Sequence, residues 1–450
     1  MIAPQIRLVK VFYNLTQPRD SPMKTIKLYG GRNFKTPNPD PDTPIQEAPP
    51  PKKVILPLSD RPGIYCRALV QRGETVFLGE KIAEDPKNRM APIHSPVSGK
   101  VTDVAPYRYA EGGNVLSIFI ESDEQDRWET KPFPLEKFAD ADPLGLIRTI
   151  RRAGVKMIPY ETLPEAEREG ARITPIRNFV INGIGRGFSG SIARRLMLER
   201  GPDLTECVHL LKRIFQPEKV YLVVNEKHGD VIRVIEETGL AKEVHLIQLP
   251  VFYPLGHPHL LYKAIFGKEI PSPGGIAIDQ GVAFANVDTL LHALEAVKLG
   301  KPHIERYVTV SGEGVSTPKN LKVRIGTPLQ DLVEFCDGFK DKPGRIVIGN
   351  PFDGMAQFSL DRPVLKDTRW LWVQPLAQVV GDNYRACINC GDCVDVCPVG
   401  LMPNFLGKFC EFSRYEEAAS QYQLWTCIEK TSGPFHKVRK MGTYSQGKRK

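Results

Sequence analysis

The chain has 450 residues, of which 41% are hydrophobic and 25% charged, with a formal net charge of +9. This length and balance predict several folded domains and exclude wholesale disorder, a fibrous rod and a polytopic membrane protein. No stretch approaches the ~18 uninterrupted apolar residues of a membrane-spanning helix, and no secretory core precedes the first domain. We therefore expect a protein on the cytoplasmic side. The basic clusters at 437–440 and 448–450 favour a solvated tail over a nucleic-acid contact.

Residues 1–53 are predicted to form an N-terminal extension and a proline-rich arm. Seven prolines lie between residues 37 and 51. Proline fixes φ and removes a hydrogen-bond donor, which favours an extended spacer or an arm along the surface. A strand-like run follows Met23, so the sequence leaves open whether the protein starts at Met1 or at Met23.

Short strands separated by glycine turns are predicted over residues 54–122. Between residues 70 and 82, valine, glycine and isoleucine recur every three positions, which fits strands turning at glycines better than a helix. Another tight turn follows at 95–101. Together these features resemble the barrel-sandwich fold of biotinyl and lipoyl carrier domains. Lys100 lacks the flanking residues of a modified carrier lysine, so we expect it to be structural.

An α/β pattern is predicted over residues 143–300. Short β-rich runs at 178–182 and 220–225 each precede a helical pattern, at 191–213 and 228–238 respectively. Such alternation predicts βαβ units and a mostly parallel sheet, as in Rossmann-like nucleotide-binding domains.

Gly185, Gly187 and Gly190 follow the first of these β-rich runs and open a helical segment. Their spacing is that of the G-x-G-x-x-G turn, which holds a dinucleotide phosphate at a helix N-terminus. That fingerprint needs an acidic residue about 20 positions later, whereas the next strand ends about 36 positions after Gly190. Two interpretations stay open: a nucleotide or anion site, and a tight turn required by packing.

Six of the nine cysteines lie in the last 64 residues. Cys387, Cys390, Cys393 and Cys397 follow the spacing C-x2-C-x2-C-x3-C, and Pro398 comes next, as in ferredoxin runs that bind a 4Fe-4S cluster. Thiolates are soft ligands that hold iron in tetrahedral S4 geometry, whereas zinc ribbons usually pair two C-x2-C knuckles across a longer gap. The run predicts an iron–sulfur cluster.

Only one cluster is predicted. A second run would begin at Cys427, but the following positions at the same spacing are lysine, glycine and lysine. In two-cluster ferredoxins the last cysteine of each run binds the other cluster, so the fourth ligand here is open. Cys397 is the local candidate, and Cys427 and Cys410 are the alternatives from the following helical segment.

Several short motifs occur in a recognisable order along about residues 25–440. They are Gly30-Gly31, the turn 95–101, 253–256, Asn286-Val287, 302–312, 325–328, 349–354, and the cysteine run with 398–403. In this order they resemble the C subunit of the Rnf ion-translocating electron-transport complex, RnfC. They are more distantly similar to NqrA, the A subunit of the sodium-pumping quinone reductase.

The resemblance implies a multidomain α/β and β fold. To the barrel-sandwich and α/β domains it adds a β-grasp, SLBB-like domain at 301–345, a connecting segment at 346–378 and a helical, ferredoxin-like iron–sulfur domain at 379–440, before a basic tail at 441–450. It also implies a peripheral subunit at the cytoplasmic face of the cell membrane, docked on the membrane subunits of an Rnf-like complex. In this family the subunit takes electrons from NADH through FMN and passes them through two clusters.

The sequence departs from the family where NADH and FMN should bind. After Ile150–Gly154 it lacks the family's Gly-Ala-Gly-Phe-Pro, and after Asn182-Gly183 it has Ile184 and Gly185 in place of Ala-Glu. The later Glu of the same family motif is also missing. A flat isoalloxazine needs the close backbone approach that glycines allow, so we expect neither FMN nor NADH to bind.

The sequence therefore predicts an electron-transfer subunit with one 4Fe-4S cluster and no clear catalytic activity of its own. Its electron partner is expected to be ferredoxin, a cytochrome, or a neighbouring iron–sulfur or flavin subunit. Two alternatives remain. One is an NADH:acceptor oxidoreductase subunit with a remodelled flavin site, and the other is a docking scaffold whose cluster only stabilises the fold of the C-terminal domain.

Overall fold

The structure is a computed structural model, and it describes most of the chain between residues 41 and 428 together with two N-terminal strands. The described ranges are 9–11, 26–28, 41–59, 63–108, 113–132, 141–157, 175–185, 191–271, 275–352, 354–379 and 386–428. Gly187 and Gly190, both candidate start residues and the basic tail lie outside these ranges.

The N-terminal arm supplies strands to two different sheets. Strands β1 (Val9–Val11) and β2 (Ile26–Leu28) pair with each other antiparallel, whereas β3 (Ile45–Glu47) pairs parallel with a strand containing Asn320. The Asn320 side-chain amide also donates to the Thr43 carbonyl oxygen over 3.0 Å. The arm is thereby fixed to a domain that lies far along the chain.

Seven short strands follow the arm and form two antiparallel sheets. They are β4 (Lys53–Pro57), β5 (Arg67–Ala68), β6 (Thr75–Val76), β7 (Lys81–Glu84), β8 (Ile93–His94), β9 (Gly99–Arg108) and β10 (Asn114–Ser122). One sheet has the order β4-β10-β9-β6 and the other β5-β7-β8. Gly73 and Gly79, with φ of 95° and 82°, make turns at positions of the three-residue pattern, because these left-handed conformations favour glycine.

The next unit alternates helices with parallel strands. Its elements are α1 (Pro143–Arg152), β11 (Asn178–Asn182), α2 (Ser191–Glu199), α3 (Gly201–Phe215), β12 (Lys219–Asn225), α4 (Gly229–Glu237), β13 (His245–Leu249), α5 (Pro258–Phe266), β14 (Val282–Asn286) and α6 (Val287–Leu299). All strands are parallel in the order β13-β12-β11-β14. The chain winds outward from β11 and then returns to its other side, so the order reverses between β11 and β14.

The helical pattern predicted at 191–213 is two helices. Helix α3 begins at Gly201 with Pro202 in its first turn. Proline lacks an N–H and cannot continue a preceding helix, but it is tolerated where the first N–H groups have no intrahelical partner. The break turns α3 onto the sheet, where residues such as Leu211 are fully buried.

The next unit is built on a six-stranded sheet that includes β3. Its new elements are β15 (Glu305–Ser311), β16 (Lys319–Arg324), α7 (Leu329–Phe335), β17 (Pro343–Ile348), β18 (Met355–Ala356) and β19 (Trp370–Pro375). The strand order is β18-β17-β19-β15-β16-β3. The segment 346–378, which the sequence assigned to a connection, therefore supplies two of these strands and the end of a third. The reason is burial: Leu371 and Val373 of β19 are fully inaccessible beside β15.

Three helices complete the described chain: α8 (Asp392–Asp395), α9 (Pro403–Glu411) and α10 (Tyr415–Gln421). Pro403 is the first residue of α9, where its missing N–H costs no intrahelical hydrogen bond. The helices enclose a small apolar core that includes Leu406 and Leu424. Across the described ranges, no helix is both long and apolar enough to cross a membrane.

Candidate functional site

A cavity of about 1250 Å³ opens at the carboxyl edge of the parallel sheet. Asn182 at the end of β11 and Asn286 at the end of β14 are register neighbours, and both line it. The cavity therefore lies at the point where the strand order reverses. In open α/β sheets this crevice is the usual ligand-binding position.

Besides the parallel sheet, three other units contribute to the cavity wall. The barrel sandwich contributes Tyr65 and Asn114, the six-stranded sheet region Arg362 and Arg369, and the C-terminal unit Pro398, Trp425 and Cys427. The cavity thus extends from the parallel sheet to the segment that directly follows the cysteine run.

Asn182 organises the loops at the edge of the sheet. Its side-chain amide donates to the carbonyl oxygens of Gly185 and Gly256 over 3.2 and 3.1 Å, and its Oδ1 accepts from the Ile184 N–H over 3.1 Å. Gly185 has a φ of 59° and lines the cavity. Of the three glycines in the predicted turn, Gly185 is the one within the described residues.

The arginines of helix α2 are engaged in ion pairs. Arg194 binds Asp42 of the arm and Asp230 of α4, the latter over 2.5 Å, and Arg195 binds Glu199 over 2.8 Å. A phosphate at the N-terminus of α2 would have to compete with these carboxylates for both guanidinium groups.

A buried charge cluster that sequence reasoning missed joins α6 to β15 beside the cavity. Asp288 Oδ2 lies 2.5 Å from Arg306 Nη2 and 3.2 Å from Arg369 Nε, and Arg306 Nε donates to the Thr368 carbonyl oxygen over 2.9 Å. Burial alone would raise the pKa of Asp288, but the two guanidinium groups hold it well below its ordinary value. The sequence shows the charges of these residues but gives no sign that they meet.

The four predicted cluster ligands lie on one short unit. Cys387 and Cys390 are exposed, while Cys393, in the first turn of α8, and Cys397 are partly buried. Gly391 has a φ of 88°, which turns the backbone between the second and third cysteines.

The donor set and one hydrogen bond suit an iron–sulfur cluster. None of the cysteines forms a disulfide, and the Cys397 sulfur accepts a hydrogen bond from the Leu401 N–H over 3.3 Å. Hydrogen bonds to sulfur are among the groups that set a cluster's potential. Within the described residues, no three Cys, His, Asp or Glu side chains are close enough together to hold a metal ion. The support for a cluster is therefore the chemistry and the spacing of the four cysteines, and not the distances between their sulfurs.

The two alternative ligands differ in their surroundings. Cys410 is buried in the core of the C-terminal unit, where burial raises the pKa of its thiol. Cys427 packs against the same core as Cys397, is only partly buried and lines the cavity. Cys427 is the less buried of the two and packs beside Cys397, so it is the better placed alternative.

Three protein-family models match successive parts of the chain. The RnfC barrel sandwich hybrid domain matches residues 33–125, the Nuo51 FMN-binding domain residues 166–295, and the SLBB domain residues 307–355.

Curated relatives match most of the chain. The C subunit of the proton-translocating ferredoxin:NAD(+) oxidoreductase complex of Clostridium ljungdahlii is 31% identical over 85% of this chain and 83% of its own length. The chain belongs to the family of Rnf-complex C subunits. The C subunit of the Na(+)-translocating ferredoxin:NAD(+) oxidoreductase complex of Acetobacterium woodii is 29% identical over 84% of this chain and 86% of its own length. The C subunit of the ion-translocating oxidoreductase complex of Yersinia pestis is 30% identical over 83% of this chain and 61% of its own length.

These matches confirm the RnfC resemblance and the predicted barrel-sandwich and SLBB domain types. They also identify the α/β unit, whose sheet edge forms the cavity, as a domain of the FMN-binding type. Flavin and iron–sulfur clusters are the cofactors that this family and domain type imply. Residues 186–190, where the sequence departs from the family, lie outside the described part of the chain.

Proposed function

We propose that this chain is the electron-transfer subunit of an Rnf-type ion-translocating oxidoreductase and relays electrons through one 4Fe-4S cluster. The names of its relatives support this, because they are C subunits of ion-translocating complexes that act on ferredoxin and NAD. The subunit would be peripheral, held at the cytoplasmic face by membrane subunits of the complex. Its electron partner would be ferredoxin, a cytochrome or a neighbouring iron–sulfur or flavin subunit.

The observation that carries the proposal is the cysteine unit. Cys387, Cys390 and Cys393 would hold three irons, with Cys397 as the fourth ligand and Cys427 or Cys410 as its replacements. A bound cluster supplies one-electron exchange at the surface of the subunit. The Leu401 N–H bonded to the Cys397 sulfur would stabilise negative charge on that thiolate.

We further propose that the subunit works without FMN and NADH. The glycines and carboxylates of the family motif are missing after Gly154 and Gly183. In addition, the α2 arginines are paired with carboxylates of this chain. The missing motif residues and the paired arginines would both weaken the binding of a flavin phosphate at this edge of the sheet.

The test is an inventory of iron, sulfide and flavin in protein purified anaerobically, with EPR after reduction. We expect four irons, four sulfides and no flavin per chain. Cys397→Ala should lower the iron content or convert the signal to a 3Fe type, whereas Cys427→Ala should not, and the buried Cys207→Ala serves as the control. Two intact clusters, or zinc in place of iron, would contradict the proposal.

The cavity favours a second candidate, an NADH:acceptor oxidoreductase subunit with a remodelled flavin site. Its volume of about 1250 Å³ lies at the position where α/β domains bind ligands. Stoichiometric flavin, or bleaching of the cluster on titration with NADH, would establish this candidate. A scaffold role would instead leave the activity of the whole complex intact after the cluster is removed.

A further inference from the structure

The surface around the cysteine unit carries exposed apolar side chains. Ile388 is 84% exposed, Val396 42% and Met402 40%. We call these three residues, together with Asp392 and Asp395, the cysteine face. All five lie within the run of cysteines or the turn that leads into α9. Exposed apolar side chains grouped at one functional segment indicate a contact surface rather than scattered surface residues.

The charge of the cysteine face is opposite to that of the whole chain. Residues 386–407 contain two aspartates and no lysine or arginine, although the chain carries a net charge of +9. Asp392 and Asp395 are both exposed. Thiolate ligands would make this face still more negative.

We propose that the cysteine face docks a redox protein whose own contact surface is an apolar patch ringed by lysine and arginine. This inference rests on the proposed function, since it takes the cysteines as cluster ligands. The apolar side chains would exclude water from the contact, and the two carboxylates would set the sign of charge that the partner must carry. A partner with an acidic contact surface would be repelled. Of the electron partners expected from the sequence, the face thus selects one with a basic surface.

The steering expected from such a face is measurable as a rate. Association between oppositely charged surfaces is accelerated and falls steeply with ionic strength, because salt screens exposed charges beyond about 10 Å at 0.1 M. In the reaction tested, one electron leaves the reduced cluster and reduces one ferric haem to ferrous haem. No proton or further reactant is needed for that balance.

The experiment uses the full-length protein with its cluster reduced. It is mixed with a basic c-type cytochrome or with an acidic oxidised ferredoxin at increasing salt, and the cluster absorbance is followed by stopped flow. We expect the rate with the cytochrome to fall at least tenfold between about 0.02 and 0.5 M salt. The rate with the ferredoxin should rise or stay low over the same range.

Variants locate the effect on the face. Asp392→Asn with Asp395→Asn should slow the cytochrome reaction several-fold and flatten its salt dependence. The matched control is Asp103→Asn with Glu121→Gln, two exposed acidic residues of the barrel sandwich. Iron content and EPR signal are measured for each variant and should be unchanged, so that a slower reaction can be assigned to docking.

Three results would overturn the docking proposal: a faster reaction with the acidic ferredoxin, no dependence on salt, or equal effects of the test and control pairs. If the salt dependence appears only after Lys448, Arg449 and Lys450 are changed to glutamine, the basic tail of this chain occupies the cysteine face. That result would also overturn the docking proposal. If the purified protein holds no iron, the proposed function fails. If the protein holds a cluster but reacts faster with the acidic partner, only the docking proposal fails and the proposed function stands.

Discussion

Replacing Asp288 with asparagine should destabilise the protein strongly. Asp288 is 4% exposed and is the carboxylate shared by Arg306, which is 1% exposed, and Arg369. The substitution keeps the side-chain shape but leaves the Arg306 charge in the interior without its counter-charge. Removing one partner of a buried ion pair costs about 3–5 kcal/mol.

The burial of Arg306 explains the direction of this effect. Burial lowers the pKa of Arg306 to about 10 even with Asp288 beside it. The charged guanidinium is therefore already disfavoured, and it depends on the carboxylate that the variant removes. Changing both residues, Asp288→Leu with Arg306→Met, should recover part of the loss, because the charge that stays, on Arg369, belongs to a side chain that is 45% exposed and can be solvated.

Guanidinium chloride denaturation at pH 7, followed by circular dichroism, measures the free energy of unfolding. The control is Glu269→Gln, which breaks the Lys263–Glu269 pair at a carboxylate that is 74% exposed, and it should cost less than about 1 kcal/mol. The pKa of Asp288 is lowered in the folded state, so its contribution is present above about pH 4 and is lost as the pH falls further. An Asp288→Asn variant no less stable than the Glu269→Gln control would refute the reasoning.

Three further outcomes are expected. Burial lowers the pKa of His94 to about 3, so between pH 6.5 and pH 3 the unfolded state binds one proton more than the folded state. The free energy of unfolding should therefore fall by ~1.4 kcal/mol for each unit by which the pH is lowered in that range. His94→Gln should reduce this slope when denaturation is measured at a series of pH values. Gly312→Ala should lower the melting temperature far more than Gly300→Ala, because the new methyl group meets the Val373 carbonyl oxygen, whereas no atom lies within 4 Å at Gly300. Asn320→Ala should cost about 1–3 kcal/mol and make the arm more sensitive to limited proteolysis; unchanged cleavage would contradict its anchoring role.

The parts of the fold that depend on local pattern were predictable from the sequence. The strand at 178–182 was predicted with the bounds that the structure has. Gly73 and Gly79 mark turns by their spacing alone, because a left-handed backbone conformation favours glycine wherever it occurs. The fourth cluster ligand, in contrast, is still a prediction.

Features that join distant segments were not predictable. Strands β3 and β19 pair in the six-stranded sheet with strands that are far away in sequence, and the residues of either segment do not indicate which strand it will pair with. The pairing of Asp288 with Arg306 is of the same kind, since a single sequence records charges but not which charges meet. Long-range pairing is decided by burial of the whole unit rather than by local propensity.

The placement of β3 has a consequence for synthesis of the chain. Glu47 of this strand contacts Lys322, 275 residues later. At about 5–20 residues per second, a ribosome takes roughly 14–55 s to make the intervening polypeptide. During that interval β3 has been synthesised but the strand with which it pairs has not. This is the stage of synthesis at which a chaperone would have the longest access to the arm.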